Sequence, residues 1–351
     1  MSGWETLIEA AIKVVAAFIL LVVNTLLLVW FERKVVSDMQ NRVGPNRAGP
    51  FGILQTLADG LKLFFKESMT PRKAEFVPYI IAPVAALLPA LLIFLVIPIG
   101  RPFFIGDREI SLVGMDLNIG ILYILALSSM AVYAIVLAGW SSGSKYPLLG
   151  SVRASAQMIS YEAAMGLALV PLILFTGTTS LVTIVEVQSG TFWNNIIPAW
   201  NVVLIPSFAI FFIAGVAETN RPPFDLVEAE QEIVGGYHTE YSGLRFALFF
   251  LAEYINIFNI SAITVTLFLG GWNGPDFGLP AAIAWVMPIL WFLLKTYALL
   301  FVFVWIRASL PRMRYDQLMT FGWKRLIPLS LLWIVLSTVA IGIRRLGVPW
   351  S

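Results

Sequence analysis

Eight long apolar runs constrain this chain more than any other feature of its sequence. They cover roughly residues 11–31, 77–100, 117–140, 156–177, 196–217, 244–271, 279–306 and 326–343. A helix needs about 20 apolar residues to cross a bilayer. Hydrophobic residues make up 59% of the 351 and charged residues only 13%, which excludes an ordinary soluble globule. The sequence therefore predicts an all-α polytopic membrane protein with about eight transmembrane helices, forming a single integral membrane domain over residues 1–351.

The lysine and arginine distribution predicts the orientation of the spans. An even number of spans places both termini on one side, and the opposite, inner side receives loops 32–76, 141–155, 218–243 and 307–325. These inner loops, together with Arg245 directly after the third, hold 17 of the 23 basic residues, against five on the side of the termini. Because positively charged loops remain on the cytoplasmic side, we expect both termini to face outward.

An interfacial helix is predicted directly after the first span. The segment NRVGPNRAGP (41–50) contains two Gly-Pro steps and cannot form a regular helix. The stretch behind it is amphipathic, with apolar Phe51, Leu54, Ala58, Leu61 and Phe65 opposite polar Gln55, Asp59, Lys62 and Lys66. Such a helix lies in the interface plane, with its apolar face in lipid or against the bundle. It is either an anchor for the loop or the rim of an opening for an amphipathic ligand.

Carboxylates are concentrated between the fifth and sixth runs. Residues 218–253 hold a third of the chain's 21 acidic residues, namely Glu218, Asp225, Glu228, Glu230, Glu232, Glu240 and Glu253. Like charges crowded beside hydrocarbon have raised pKa values, so this cluster is a candidate for taking up and releasing protons. A solvated helix face over residues 224–232 is the simpler alternative for part of it.

Three ionisable residues fall within the runs themselves. Glu162, Glu253 and Lys295 interrupt runs four, six and seven. An unpaired charge at the bilayer centre costs roughly 2.5–3.5 kcal/mol on insertion scales, so these groups are expected to pair or to share a hydrated pocket. Two interpretations are open: a static salt bridge from Lys295 to Glu162 or Glu253, and a proton path with the hydroxyls of Tyr161 and Tyr254 nearby.

The chain lacks the residue types that most redox centres require. Cysteine is absent and His238 is the only histidine. Iron–sulfur clusters, cysteine-based zinc sites and a bis-histidine haem are therefore excluded, and any electrons must come from another subunit. The net charge of +2 is too small to suggest a nucleic-acid partner.

Two segments carry a family resemblance, ERKVVSDMQNRVGPNRAGPFGILQTLADGLKLFFKE (32–67) and AETNRPPFDLVEAEQEIVGGYHTEYSG (217–243). Both resemble the signature segments of subunit 1 (the bacterial H subunit) of proton-pumping NADH:quinone oxidoreductase, respiratory complex I. The resemblance implies quinone as substrate, with no flavin, haem, iron–sulfur cluster or metal bound by this chain. It implies peripheral-arm iron–sulfur and quinone-site subunits, other membrane-arm subunits and lipid as partners. The expected location is the bacterial plasma membrane, with the mitochondrial inner membrane as alternative.

The resemblance also implies roles for individual residues. A quinone chamber is implied to run along Glu32, Arg33, Lys34, Asp59, Glu218, Arg221, Phe224 and Asp225. Together with the buried charges above, a proton path towards the membrane arm is predicted to include Tyr161, Glu162, Glu218, Asp225, Glu228, Glu230, Glu232, Glu240, Glu253 and Lys295. No catalytic residue is expected in this chain, because the family reduces and protonates quinone in peripheral subunits.

Three other functions compete with this interpretation. The equivalent subunit of a membrane-bound hydrogenase is related, but the resemblance to the respiratory pattern extends over the full length. A free-standing ion-coupled transporter would also use buried charges, but such proteins often contain inverted repeats, and the sequence has no visible repeat. A structural anchor for peripheral subunits would not require this density of carboxylates.

Overall fold

The computed structural model describes residues 3–105, 108–192, 197–198, 200–201, 204–225, 234–275 and 285–345. Over these residues the chain is a helical bundle. Its α-helices are α1 (Gly3–Met39), α2 (Gln55–Phe65), α3 (Phe76–Phe94), α4 (Gly120–Ser141), α5 (Lys145–Thr176), α6 (Leu181–Val187), α7 (Ile205–Glu218), α8 (Gly243–Phe268), α9 (Val286–Ser309), α10 (Tyr315–Phe321) and α11 (Ile327–Arg345). Short antiparallel hairpins pair Phe103–Ile105 with Arg108–Ile110 and Thr191–Phe192 with Ile197–Pro198.

Eight apolar helices confirm the predicted fold class. Seven helices among the described residues are long and apolar enough to cross a membrane, and α7 is a shorter apolar helix. A π-helical turn over Gly322–Leu326 joins α10 and α11 into the last of the seven.

Two helices are longer than their apolar runs. Helix α1 has 37 residues and α5 has 32, so they measure about 55 Å and 48 Å, well beyond a hydrocarbon core of roughly 30 Å. The first apolar run stops just before Glu32 and Arg33, but α1 continues past them to Met39. A hydropathy pattern detects where lipid contact ends, whereas the helix continues as long as its backbone bonds are satisfied. Glu32 and Arg33 are consequently held on a rigid helix.

Helix α8 forms the centre of the bundle. In the most apolar 18-residue stretch of α8, 61% is buried. The corresponding share is 28% in α1 and 17% in the last span. It contacts α1, α2, α3, α6, α7 and α9. Its buried Asn259 donates from Nδ2 to the carbonyl of Ala90 on α3 (2.7 Å), one of the interhelical hydrogen bonds that hold apolar bundles together. Glu253, which lies on α8, is therefore largely withdrawn from solvent, with a side-chain exposure of 22%.

The Gly-Pro loop folds back tightly before α2. Gly52 has a φ of 76°, and a Cβ at this position would lie 2.2 Å from the carbonyl oxygen of Pro45, so only glycine fits. The predicted interfacial helix follows as α2, packed against α1 and α8. Phe51, Leu61 and Phe65 are exposed on the chain surface, so this apolar stripe is available to lipid or a partner subunit.

Gln157 on α5 fastens the loop that follows α7. Its side chain is fully buried, and Nε2 donates to the carbonyls of Ala217 and Phe224, both at 2.8 Å, and approaches Asn220 Oδ1 at 3.2 Å. One amide therefore holds both ends of the segment that carries Arg221.

We predict that Gln157→Leu lowers the thermal stability of the assembled protein, because two buried carbonyls lose their donor at a cost of ~1–3 kcal/mol each. The isosteric Gln157→Glu should be worse, since it places an acceptor against those carbonyls. Val152→Ala, on the exposed side of α5, is the matched control and should be near neutral. The measurement is thermal unfolding of the purified protein. Equal stability of the Gln157→Leu variant and the control contradicts the fastening role.

Candidate functional site

A cavity of about 650 Å³ lies between α1, α8, α9 and the Gly-Pro loop. That volume is within the range of roughly 300–1,000 Å³ that small-molecule sites occupy. Its wall combines charged and aromatic side chains, namely Glu32, Arg33, Arg42, Phe250, Tyr254 and Arg307. The cavity can therefore hold a molecule with a polar, aromatic headgroup.

Glu32 connects the cavity wall to the interior. Its side chain is buried, and its carboxylate contacts Arg307 and lies 3.4 Å from a terminal nitrogen of Arg221. The Tyr254 hydroxyl donates to its other oxygen at 2.8 Å. Both oxygens of this buried carboxylate therefore have close positive or hydrogen-bonding partners.

Arg221 bridges Glu32 and Glu253. Its Nε lies 2.8 Å from Glu253 Oε1, while the terminal nitrogen faces Glu32. Its guanidinium carbon lies 4.6 Å from the centre of the Tyr254 ring, a cation–π distance. A planar guanidinium can face two carboxylates along its edges while its flat face lies over an aromatic ring.

The rim of the cavity carries a second ion pair. Arg33 Nη1 lies 2.7 Å from Asp59 Oδ2, and Lys62 and Gln55 approach the other carboxylate oxygen at 3.7 and 3.2 Å. Burial alone would raise the pKa of Asp59, but the hydrogen bond and charge of Arg33, helped by Gln55 and Lys62, hold it below its ordinary value. Helix α2 is thus tied to α1 at the cavity rim.

Two small cavities lead inward from Glu253. One of about 40 Å³ is lined by both Glu253 and Glu218, and another of about 30 Å³ is lined by Glu218 and Ser128. Each exceeds the 10–15 Å³ or so that a water molecule requires. Ser128 Oγ lies 3.3 Å from Glu162 Oε1, and Ser129 donates to the same carboxylate. Acidic groups and small cavities therefore follow one another from Glu32 to Glu162.

Several residues predicted for the chamber or path lie elsewhere. The Tyr161 hydroxyl donates to the carbonyl of Leu318 at 3.0 Å, and Phe224 packs with its ring 5.3 Å from that of Tyr161. Asp225 lies 3.2 Å from Arg312. These contacts join the α7–α8 loop to the segment before α11. Lys34 is partly buried on α1, and the Glu240 carbonyl accepts a bond from Tyr79 (2.7 Å).

Lys295 does not form the salt bridge considered above. Its Nζ donates to the carbonyls of Leu269, Gly271 and Asn273, whereas Glu253 pairs with Arg221 and Glu162 contacts serines. Glu228, Glu230 and Glu232 lie outside the described residues. The roles of all these residues in a proton path remain predictions.

The sequence reasoning missed Arg307, Ser128 and Ser129. Arg307 follows the seventh apolar run and was considered only for the orientation of the spans. Arg307 and Glu32 both lie at the inner ends of spans, and this pattern could have predicted that they pair. The serines carried no signal, because hydroxyls are common in membrane helices.

The fold and this arrangement define a class: a polytopic membrane protein with a buried ion-pair network beside an inner cavity. The model of the NADH dehydrogenase family matches residues 12–338. The chain belongs to this family.

Named relatives cover nearly the whole chain. The H subunit of the NADH-quinone oxidoreductase of Frankia casuarinae is 53% identical over 325 residues, covering 92% of this chain and 71% of that protein. The H subunit numbered 2 of the NADH-quinone oxidoreductase of Koribacter versatilis is 48% identical over 352 residues, covering 96% of this chain and 98% of that protein. The corresponding H subunit of Streptomyces avermitilis is 49% identical over 337 residues, covering 93% and 71%.

Arg221→Met should destabilise the protein by about 3 kcal/mol, because it leaves the partly buried Glu253 without this partner. Adding Glu253→Gln should restore part of that loss by removing the negative charge. Arg314→Met, which breaks the exposed pair with Asp316 (3.0 Å), is the control and should cost no more than about 1 kcal/mol. Thermal unfolding of these variants, of Glu253→Gln alone and of the wild type measures this. A double variant as unstable as the two single losses combined would show that Arg221 and Glu253 are not coupled.

Proposed function

We propose that this chain is the quinone-chamber and coupling subunit of a proton-translocating NADH:quinone oxidoreductase. The observation that carries the proposal is the contact between the cavity wall and the interior carboxylates: Glu32 lines the cavity and, through Arg221, meets Glu253. Membership of the family and the names of the relatives support it.

The chemistry divides between this chain and its partners. Reduction of a quinone to a quinol takes two electrons and two protons. With no cysteine and one histidine, this chain has no means to hold an iron–sulfur cluster, so peripheral-arm subunits deliver the electrons. The inner loops receive those subunits, and both termini face out of the bacterial plasma membrane. The lipid-soluble quinone arrives past the apolar face of α2.

Coupling starts from the shared arginine. When quinone chemistry changes the charge at the cavity wall, the relative strengths of the ion pairs from Arg221 to Glu32 and to Glu253 change with it. Glu253 shares a small cavity with Glu218, and Glu218 shares the next with Ser128 beside Glu162. A proton gained or lost at one member therefore alters the energy of charge at the next. Membrane-arm partners receive the shift beyond Glu162.

Arg33→Met is expected to weaken quinone turnover while assembly is retained. The Arg33–Asp59 pair is partly exposed, so its loss costs little stability. Asp59→Asn should act in the same direction, because it releases Arg33 at the rim. Lys13→Met, which breaks a pair with Glu9 on the same helix, is the control. The measurement is NADH:quinone turnover against quinone concentration; wild-type kinetics in an assembled Arg33→Met complex would remove Arg33 from the chamber.

Glu218→Gln should sharply lower quinone-dependent turnover and proton pumping in membrane vesicles. Electron transfer from NADH to an artificial acceptor at the peripheral arm should survive, because that route does not enter this subunit. Glu253→Gln added to Glu218→Gln should cost less than the two single losses combined, since members of one relay share their titration. Exposed Glu186→Gln is the control. Normal pumping by Glu218→Gln, or strictly additive losses, would contradict the relay.

A further inference from the structure

The outer end of α8 is covered by side-chain donors from other segments. The last carbonyls of a helix have no partner within it and must find donors elsewhere. Gln188 Nε2 donates to the carbonyl of Thr266 and Asn201 Nδ2 to that of Leu267, both at 2.9 Å. Gln188 also accepts, through Oε1, from the amides of Asn201 (3.1 Å) and Gly270 (3.0 Å). The helix end is thus closed by a buried polar network.

Lys295 completes this network with a positive charge. Its side chain is 8% exposed, and Nζ donates to the carbonyls of Leu269 (2.8 Å), Gly271 (3.0 Å) and Asn273 (2.5 Å). An ammonium has three hydrogens, and all three have acceptors here. The carbonyl end of a helix favours a cation, which explains how the charge is tolerated.

Trp200 covers the ammonium from the other side. Lys295 Nζ lies 4.3 Å from the centre of an indole ring of Trp200. Gly270 permits this approach: its φ is 73°, and a Cβ there would lie 2.4 Å from Trp200 Nε1. Arg101 adds a second cation nearby, donating to Asn273 Oδ1 at 3.2 Å.

The network lies next to the small cavity beside Glu218. The cavity of about 30 Å³ that Glu218 and Ser128 line also reaches Ile263 and Leu267 on α8. Leu267 is the residue whose carbonyl Asn201 occupies. A proton leaving the carboxylates towards the outer face would therefore meet this network and the ammonium behind it.

We propose that Lys295 and the network around it form an outer proton barrier, with Lys295 as a fixed charge rather than a carrier of protons. A buried positive charge repels protons and hydronium ions. The carbonyls that could order water beside it already accept hydrogen bonds from Gln188, Asn201 and Lys295. The inference rests on the proposed function, since a barrier matters only where the carboxylates carry protons.

The test is passive proton flux through the complete complex reconstituted in liposomes. A potassium diffusion potential drives the flux and an internal pH dye reports it, with no NADH present. Lys295→Met and Lys295→Gln remove the charge, and Gln keeps a donor amide. Lys295→Arg keeps the charge, and exposed Lys324→Met is the control for loss of a lysine. NADH:quinone turnover and its stimulation by uncoupler are measured on the same samples.

We expect the Met and Gln variants to raise passive flux several-fold and to lose uncoupler stimulation while still reducing quinone. The Arg variant and the control should be as tight as the wild type. Tight liposomes with Lys295→Gln would overturn the charge barrier, and failure of both neutral variants to assemble would assign Lys295 to helix capping alone. Absence of quinone turnover in the wild type would instead refute the proposed function, and the flux measurement does not depend on it.

Discussion

The bridge from Arg221 to Glu32 and Glu253 is the interaction on which the interior depends. Each of these groups loses hydration on burial, a cost of several kcal/mol per ion that is recovered only when every charge keeps close partners. Arg221 contributes two of those contacts, at 3.4 and 2.8 Å, and a third to the ring of Tyr254. The bridge joins three parts of the chain: α1, α8 and the loop that follows α7. The helices and the site are therefore stabilised by the same contacts.

The helices around this bridge hold its charged groups in place. The long rigid end of α1 brings Glu32 to the cavity wall, and central α8 brings Glu253 into the interior. Gln157 holds both ends of the short segment 217–224, which fixes Arg221 between them. A cavity with one charged wall and a path of carboxylates behind it is the consequence. The opposite end of α8 has the reverse character, because its carbonyls are occupied and a lysine lies among them.

The fold was largely predictable from the sequence, because hydrophobic length alone specifies membrane helices. The Gly-Pro loop and the interfacial helix were equally accessible, since proline and helical periodicity act locally. The pairing of charges was not. Glu32 and Arg221 are 189 positions apart, and a sequence of isolated spans does not state which ends meet. Lys295 illustrates the limit: a salt bridge was one of the expectations, but three backbone carbonyls, absent from any residue pattern, hold it.

A change of charge at the cavity wall should alter the protonation of Glu253, which does not line that cavity. Infrared difference spectra of the complex, recorded between oxidised and reduced quinone, test it through the C=O stretch of protonated carboxyl groups. We expect a carboxyl signal of which Glu253→Gln removes a part. Glu32→Gln should abolish the signal, including the part that Glu253 contributes. A spectrum in which Glu253→Gln changes nothing would contradict it.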